Sequence, residues 1–298
     1  MESKKKARKN LRTGLLFISP WIIGFCAFTI YPMAMAFYYS LCDYNGFAKP
    51  KFVGMDNYVK IFTNDKLFKT ILGNMLYLVI FGTVMILVTT LFIAIVLNAK
   101  QFERVQGVRT LFYLPTLVPS IVLCTLWIWI FNQNNGLLNT VLGWFGIKGP
   151  GWLSSLSWSK PALLIMRLWC AGNLIIIFLG GMQDISKELY EAAEIDGAGF
   201  WQKSISITVP LLKPVILYNA INLMIGLLQM FTEPLVMTSG GGPLNKTYTL
   251  GLYIYYNAFK YSKMGYSCAL AWVMLVIALI ITCVALKAGG FFKNERDS

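Results

Sequence analysis

Apolar and polar positions divide this chain into six long hydrophobic runs, approximately 15–41, 70–97, 110–131, 161–182, 211–237 and 265–286, with polar segments between them. Each run exceeds the roughly 18 residues that a helix needs to cross the hydrocarbon of a bilayer. The pattern predicts an all-α membrane protein of six transmembrane helices, with both termini on one side. The first run follows a basic opening, MESKKKARKNLR, and Ala34-Met35-Ala36 imitates a signal-peptidase site. Its apolar part is much longer than the roughly 7–15 residues of a signal peptide, so it is expected to be a retained helix.

Composition sharpens this picture. Of the 298 residues, 57% are hydrophobic and only 13% charged, about half the share usual in soluble domains. The formal net charge of +13 has no soluble basic domain to carry it, which excludes nucleic-acid binding as the main role. The basic residues instead flank the apolar runs. With the N-terminus inside, fifteen Lys and Arg fall in inner segments and ten in outer loops, and six of the inner ones crowd the first span. That excess places both termini in the cytoplasm. The expected division is a basic tail at 1–14, a membrane domain at 15–288 and a cytoplasmic tail at 289–298. There is no His, which removes the commonest metal ligand and general base. Cys26, Cys42, Cys124, Cys170, Cys268 and Cys283 show neither clustering nor C-x-x-C spacing, so they read as small packing residues.

One inner segment breaks the apolar character. Five of the thirteen acidic residues lie between Asp184 and Asp196. The loop, about 184–210, reads as two short helices. Asp184 or Ser186 can cap the first, and Glu188 and Glu191 favour its positive end. Gly197 suits the left-handed residue that terminates it. The second runs over 200–208 with Trp201, Ile205 and Thr208 at helical spacing, and Pro210 and Pro214 close it and open the next span. On composition alone this is a solvated helical hairpin.

Its spacing says more. Glu191-Ala192-Ala193, three residues, Gly197, nine residues and Ile207-Thr208-Val209-Pro210 resemble the EAA loop of binding-protein-dependent ABC importers, with Val209 where the family usually has Leu. Asp196-Gly197-Ala198 is similar to the D-G-A of the sugar-importing branch. LFISPWIIGFCAFTIYPMAMAFYYSL and RTLFYLPTLVPSIVLCTLWIWIF resemble the first and third spans of the sugar permeases. TSGGGPLNKTYTLGLYIYYNAF resembles an outer segment of the maltose- and glycerol-phosphate-type subunit, whose long extracytoplasmic insertion is missing here.

The resemblance implies a type I ABC importer permease fold. Glu191, Ala192, Ala193, Asp196 and Gly197 would belong to coupling helices that dock on a cytoplasmic ATPase. It also implies a second permease subunit, two ATP-binding cassette subunits, an extracytoplasmic substrate-binding protein and a sugar or oligosaccharide as cargo. The chain has no G-x-x-x-x-G-K-[ST]. No cofactor is therefore expected in it, and ATP and Mg would act on the partner ATPase. The alternative, an ion-coupled secondary transporter, predicts inverted repeats and several intramembrane carboxylates; the sequence shows no convincing repeat, and of the carboxylates only Glu233 lies deep within a run.

Two charges fall inside spans. Arg167 lies about 6 residues into the fourth, roughly 9 Å deep at the helical rise, and Glu233 sits at comparable depth in the fifth. Charges at such positions pair or face water. They are expected to face one translocation cavity, as an ion pair or as separate ligands for sugar hydroxyls; snorkelling to the outer interface is the competing expectation. Asn173, about 6 residues deeper, and Gln229, one helical turn from Glu233, would continue the polar lining.

Overall fold

The computed structural model describes residues 2–99 and 106–290. Lys100 and Arg104 of the second segment expected to be inner, and Lys293 and Arg296 near the C-terminus, lie outside the described residues. Among the described residues the regular structure is helical apart from one pair of two-residue strands. Three helical stretches are long and apolar enough to cross a membrane, Thr13–Ser40, Lys66–Leu97 and Met264–Ala288. Three further pairs qualify only as bent spans. The chain divides into two compact units, Met1–Asn64 with Ile254–Val273, and Asp65–Tyr253 with Met274–Ser298.

In the first unit, α1 (Glu2–Phe25) passes through a π turn at Cys26–Ile30 into α2 (Tyr31–Ser40). Tyr31 N–H bonds Cys26 O, so the wide turn ends on the residue before Pro32. Proline has no N–H and its ring crowds the carbonyl four residues back; widening the turn relieves that crowding without breaking the helix. Apolar side chains of this stretch face outward, Phe17 and Phe28 being 83% and 84% exposed. Such a surface suits lipid or another protein. The chain then forms β1 (Cys42–Asp43) paired antiparallel with β2 (Lys51–Phe52) and leads into α3 (Asp56–Val59). Buried Asn57 fastens this turn by donating to Ser40 O and Cys42 O, both at 2.9 Å.

The second unit is built on α4 (Lys66–Leu97), which starts four residues earlier than expected because Asp65 caps it. The Asp65 carboxylate accepts from Leu67 N–H and Phe68 N–H, and Tyr253 OH donates to its other oxygen at 2.6 Å. Next come α5 (Gln106–Tyr113), α6 (Ser120–Ile130) and α7 (Leu137–Trp144). The expected third span is therefore not one continuous helix. A 3-10 turn at Leu114–Leu117 continues α5, and at Pro119 the stretch Thr110–Leu117 bends by 107° into α6. The fourth expected span divides into α8 (Ser159–Trp169) and α9 (Gly172–Gln183), bent by 49°.

α10 (Lys187–Ile195) opens the acidic loop, and α11 (Phe200–Lys203), a π turn at Ser204–Thr208 and α12 (Val209–Leu211) form its second limb. Pro210 does not close that limb. It lies inside it, and as at Pro32 a π turn ends on the residue before the proline, with Val209 N–H bonded to Ser204 O. The chain turns by 70° at Leu212 into α13 (Lys213–Leu228). The expected fifth span is broken here, since α13 stops at Leu228 and α14 (Thr232–Met237) starts after three non-helical residues. α15 (Leu250–Tyr255) and α16 (Met264–Ala288) complete the chain. In the second unit, Ala94, Ile95 and Leu97 of α4 pack with Ile175, Phe178, Leu179 and Met182 of α9 and with Leu212 at the bend.

Candidate functional site

Three helix breaks meet at one cavity in the second unit. Its volume is about 410 Å³. Tyr113, Pro115, Thr116, Val118 and Ser120 line it from the α5–α6 break, Met166, Arg167, Cys170 and Asn173 from the α8–α9 break, and Glu233 from just beyond the α13–α14 break. Irregular backbone at membrane depth is tolerated where it is buried in protein or lines a cavity, because nothing in lipid can satisfy its free N–H and C=O groups. The close approach of two of these breaks depends on Gly172. A Cβ there would collide with the Phe112 carbonyl oxygen.

Arg167, in the last turn of α8, and Glu233, in the first turn of α14, form an ion pair with Nε and Oε1 2.8 Å apart. The Glu233 side chain is 8% exposed and that of Arg167 34% exposed, so the carboxylate is deep and the guanidinium reaches the cavity. Arg167 Nη2 also donates to Gly226 O in the last turn of α13, at 3.3 Å. The two charges are therefore paired with each other. Asn173 stands exposed at the start of α9 on the same cavity. Gln229 does not join them. It ends α13 instead of continuing a helix to Glu233, so the one-turn spacing expected between the two residues is lost, and it is not among the cavity-lining residues. Sequence reasoning missed Thr116, Ser120 and Cys170. For Thr116 and Ser120 the available signal was the neighbouring pair Pro115 and Pro119.

The acidic loop forms a second exposed site. Ser186 Oγ caps α10 by accepting from Glu188 N–H at 3.3 Å. At the other end Gly197 has φ +77°, Gly197 N–H bonds Glu194 O, and Ala198 N–H bonds Ala193 O. Those two bonds make a Schellman termination, which needs a left-handed residue at this position. The two limbs are tied by Lys203 Nζ to Glu194 Oε1 at 2.7 Å and by Tyr190 OH with Thr208 Oγ1 at 2.9 Å. Glu191, Ala192, Asp196 and Gly197 are exposed and Ala193 is half-buried. Beside them Ile195 is 86% and Ile205 66% exposed, giving an acidic and apolar face that this chain leaves open. Among the described residues no group of three or more His, Cys, Asp or Glu could hold a metal ion.

Residues 91–288 match the family model for the binding-protein-dependent transport system inner membrane component. The chain belongs to that family. It is a multi-pass membrane permease, a transport subunit and not an enzyme. The permease is 36% identical over 300 residues to the probable ABC transporter permease protein YesP of Bacillus subtilis (strain 168), covering 100% of this chain and 96% of the relative. It is 32% identical to the arabinooligosaccharides transport system permease protein AraP of the same organism, over 94% of this chain and 89% of that one. The lactose transport system permease protein LacF of Rhizobium radiobacter is likewise 32% identical, with 92% and 93% covered. In fold the permease is similar to a chain in the crystal structure of a bacterial ABC transporter involved in the import of the acidic polysaccharide alginate. The TM-score is 0.81 at 22% identity, over 99% of this chain and 100% of that chain.

Proposed function

We propose that this permease carries a sugar or oligosaccharide, delivered by an extracytoplasmic binding protein, through the cavity at the three helix breaks. The observation that carries the reading is the polar lining of that cavity in a member of a binding-protein-dependent transport family. The oligosaccharide and lactose systems of the relatives supply the cargo class. Arg167, Glu233 and Asn173 offer donors and an acceptor for hydroxyl groups. The chain crosses the membrane six times, each bent pair counting as one crossing, with both termini in the cytoplasm.

Energy comes from outside this chain. A second permease subunit pairs with it, and two ATP-binding cassette subunits bind ATP and Mg on the cytoplasmic side. The acidic loop serves as the coupling element. Glu191 and Asp196 present carboxylates to basic residues of the ATPase, Ala192 and Ala193 let its surface come close, and Gly197 sets the turn between the two limbs. Closure of the ATPases moves the loop, and the rigid path through Leu212 into α13 carries that movement to the cavity.

Reconstitution of the assembled complex in liposomes tests this reading. Labelled arabinotriose, lactose and maltotriose are offered with the binding protein encoded beside the permease. Accumulation of at least one of them is expected to require both ATP and the binding protein. Accumulation driven by an ion gradient without ATP would overturn the reading.

A further inference from the structure

We propose that Arg167 is a positioning residue that makes the end of α13, and through it the acidic loop, sensitive to occupancy of the cavity. The inference rests on the reading of the chain as an ATP-coupled sugar permease. It starts from the backbone at the α13–α14 break. Gln229 N–H still bonds Ile225 O, but Met230 N–H turns back to Leu227 O at 3.3 Å. An unbroken α-helix would have used that N–H for Gly226 O. The carbonyl accepts from Arg167 Nη2 instead. Beyond the three-residue break, the same guanidinium is ion-paired with Glu233, Nε lying 2.8 Å from Oε1 without the alignment of a hydrogen bond. One planar group from α8 thus bridges the two sides of the break.

This bridge has access to cargo at one end and to the loop at the other. The Arg167 side chain is 34% exposed on the cavity, whereas Glu233 is almost covered. A sugar hydroxyl or carboxylate entering the cavity competes for the guanidinium. When the guanidinium moves, Gly226 O, which is partly buried, loses its partner, and a carbonyl shielded from water without a partner is unfavourable. The backbone regains a partner by winding residues 229–231 onto α13, which shifts Glu233 and the end of α13 together. At its other end α13 meets the Phe200–Leu211 limb through Leu212, which is 1% exposed and clamped against Phe178 and Met182. Occupancy and loop position therefore share one rigid element.

The guanidinium is essential to the proposal, because a lysine supplies a point charge for Glu233 but no planar group that pairs with it while donating from Nη2 to Gly226 O. The test uses the full complex in nanodiscs, with ATP hydrolysis measured without and with binding protein loaded with whichever of arabinotriose, lactose or maltotriose the wild type accumulates. In Arg167→Lys the stimulation, taken relative to that variant's own basal rate, is expected to fall by about 5-fold or more. Wild-type stimulation in Arg167→Lys would show that the residue only neutralises Glu233 and would overturn the proposal, while leaving wild-type uptake, and so the transport reading, intact. A measurement on the unaltered protein guards against a variant that fails to assemble. Amide hydrogen exchange at Met230 and Phe231 is expected to slow when the same sugar-loaded binding protein and ATP are present. Unchanged exchange at those two amides in a transporting complex would equally overturn it.

Discussion

Arg167 and Glu233 set the energetics of the cavity. Removing either partner leaves the other charge with part of its desolvation uncompensated, a cost of about 3–5 kcal/mol for fully buried pairs. The cost here is smaller for loss of Glu233, since a third of the Arg167 side chain is exposed and water screens it. Arg167→Met and Glu233→Gln should each lower sugar uptake at matched expression, with the larger effect in Arg167→Met. The double variant should lose less than the sum of the two, which is the signature of a direct pair in a double-mutant cycle. Additive losses would mean that the two residues act separately. Gly197 sets a different limit. At φ +77° an alanine there is strained by about 1–2 kcal/mol, whereas asparagine visits the left-handed region more readily. Gly197→Asn should therefore keep more ATPase stimulation than Gly197→Ala, and Gly197→Pro should keep none, since proline cannot adopt a positive φ. Equal activity in all three would remove the turn from the coupling reading.

At the scale of elements, the sequence was most legible where one apolar helix stands between clear signals. The first, second and sixth runs became the three long helical stretches, and only the start of the second moved, to the cap at Asp65. The other three runs were apolar enough to read as single spans, yet each is bent or interrupted. Hydropathy measures the cost of placing side chains in lipid and carries almost no information on where backbone hydrogen bonds stop. Prolines mark some of these places, as Pro115 and Pro119 do. Pro32 and Pro210 sit inside continuous helical runs, where a π turn accommodates them. The break at 229–231 has no comparable mark, because Pro234 lies after it in the first turn of α14. For that reason the expected lining residue Gln229 was misplaced while Arg167, Glu233 and Asn173 were brought together. The acidic loop was legible in detail, because caps and turns are local chemistry; the Ser186 cap and the Gly197 turn are both present. Glu191→Lys belongs to this scale. Glu191 is exposed, so the change should alter folding by no more than about 0.5 kcal/mol. It should leave the permease inserted and abolish the ATPase stimulation measured in the purified complex. Undiminished stimulation would mean that the loop docks elsewhere.

For the whole molecule, the proposed topology and the proposed pathway can be probed with introduced thiols in a variant whose six native cysteines are replaced. With both termini cytoplasmic, a membrane-impermeant maleimide added to intact cells should label Gly242→Cys and not Asp196→Cys; the reverse pattern would invert the orientation. The central claim is that sugar passes the cavity where three helices break. Asn173→Cys tests it most directly, since the side chain is exposed on that cavity. In the assembled transporter a small water-soluble thiol reagent should modify this cysteine. The rate should fall several-fold when ATP and the sugar-loaded binding protein are both present, and should be unchanged when either is omitted. Modification at the same rate in all conditions, in a complex that still accumulates sugar, would place the pathway elsewhere.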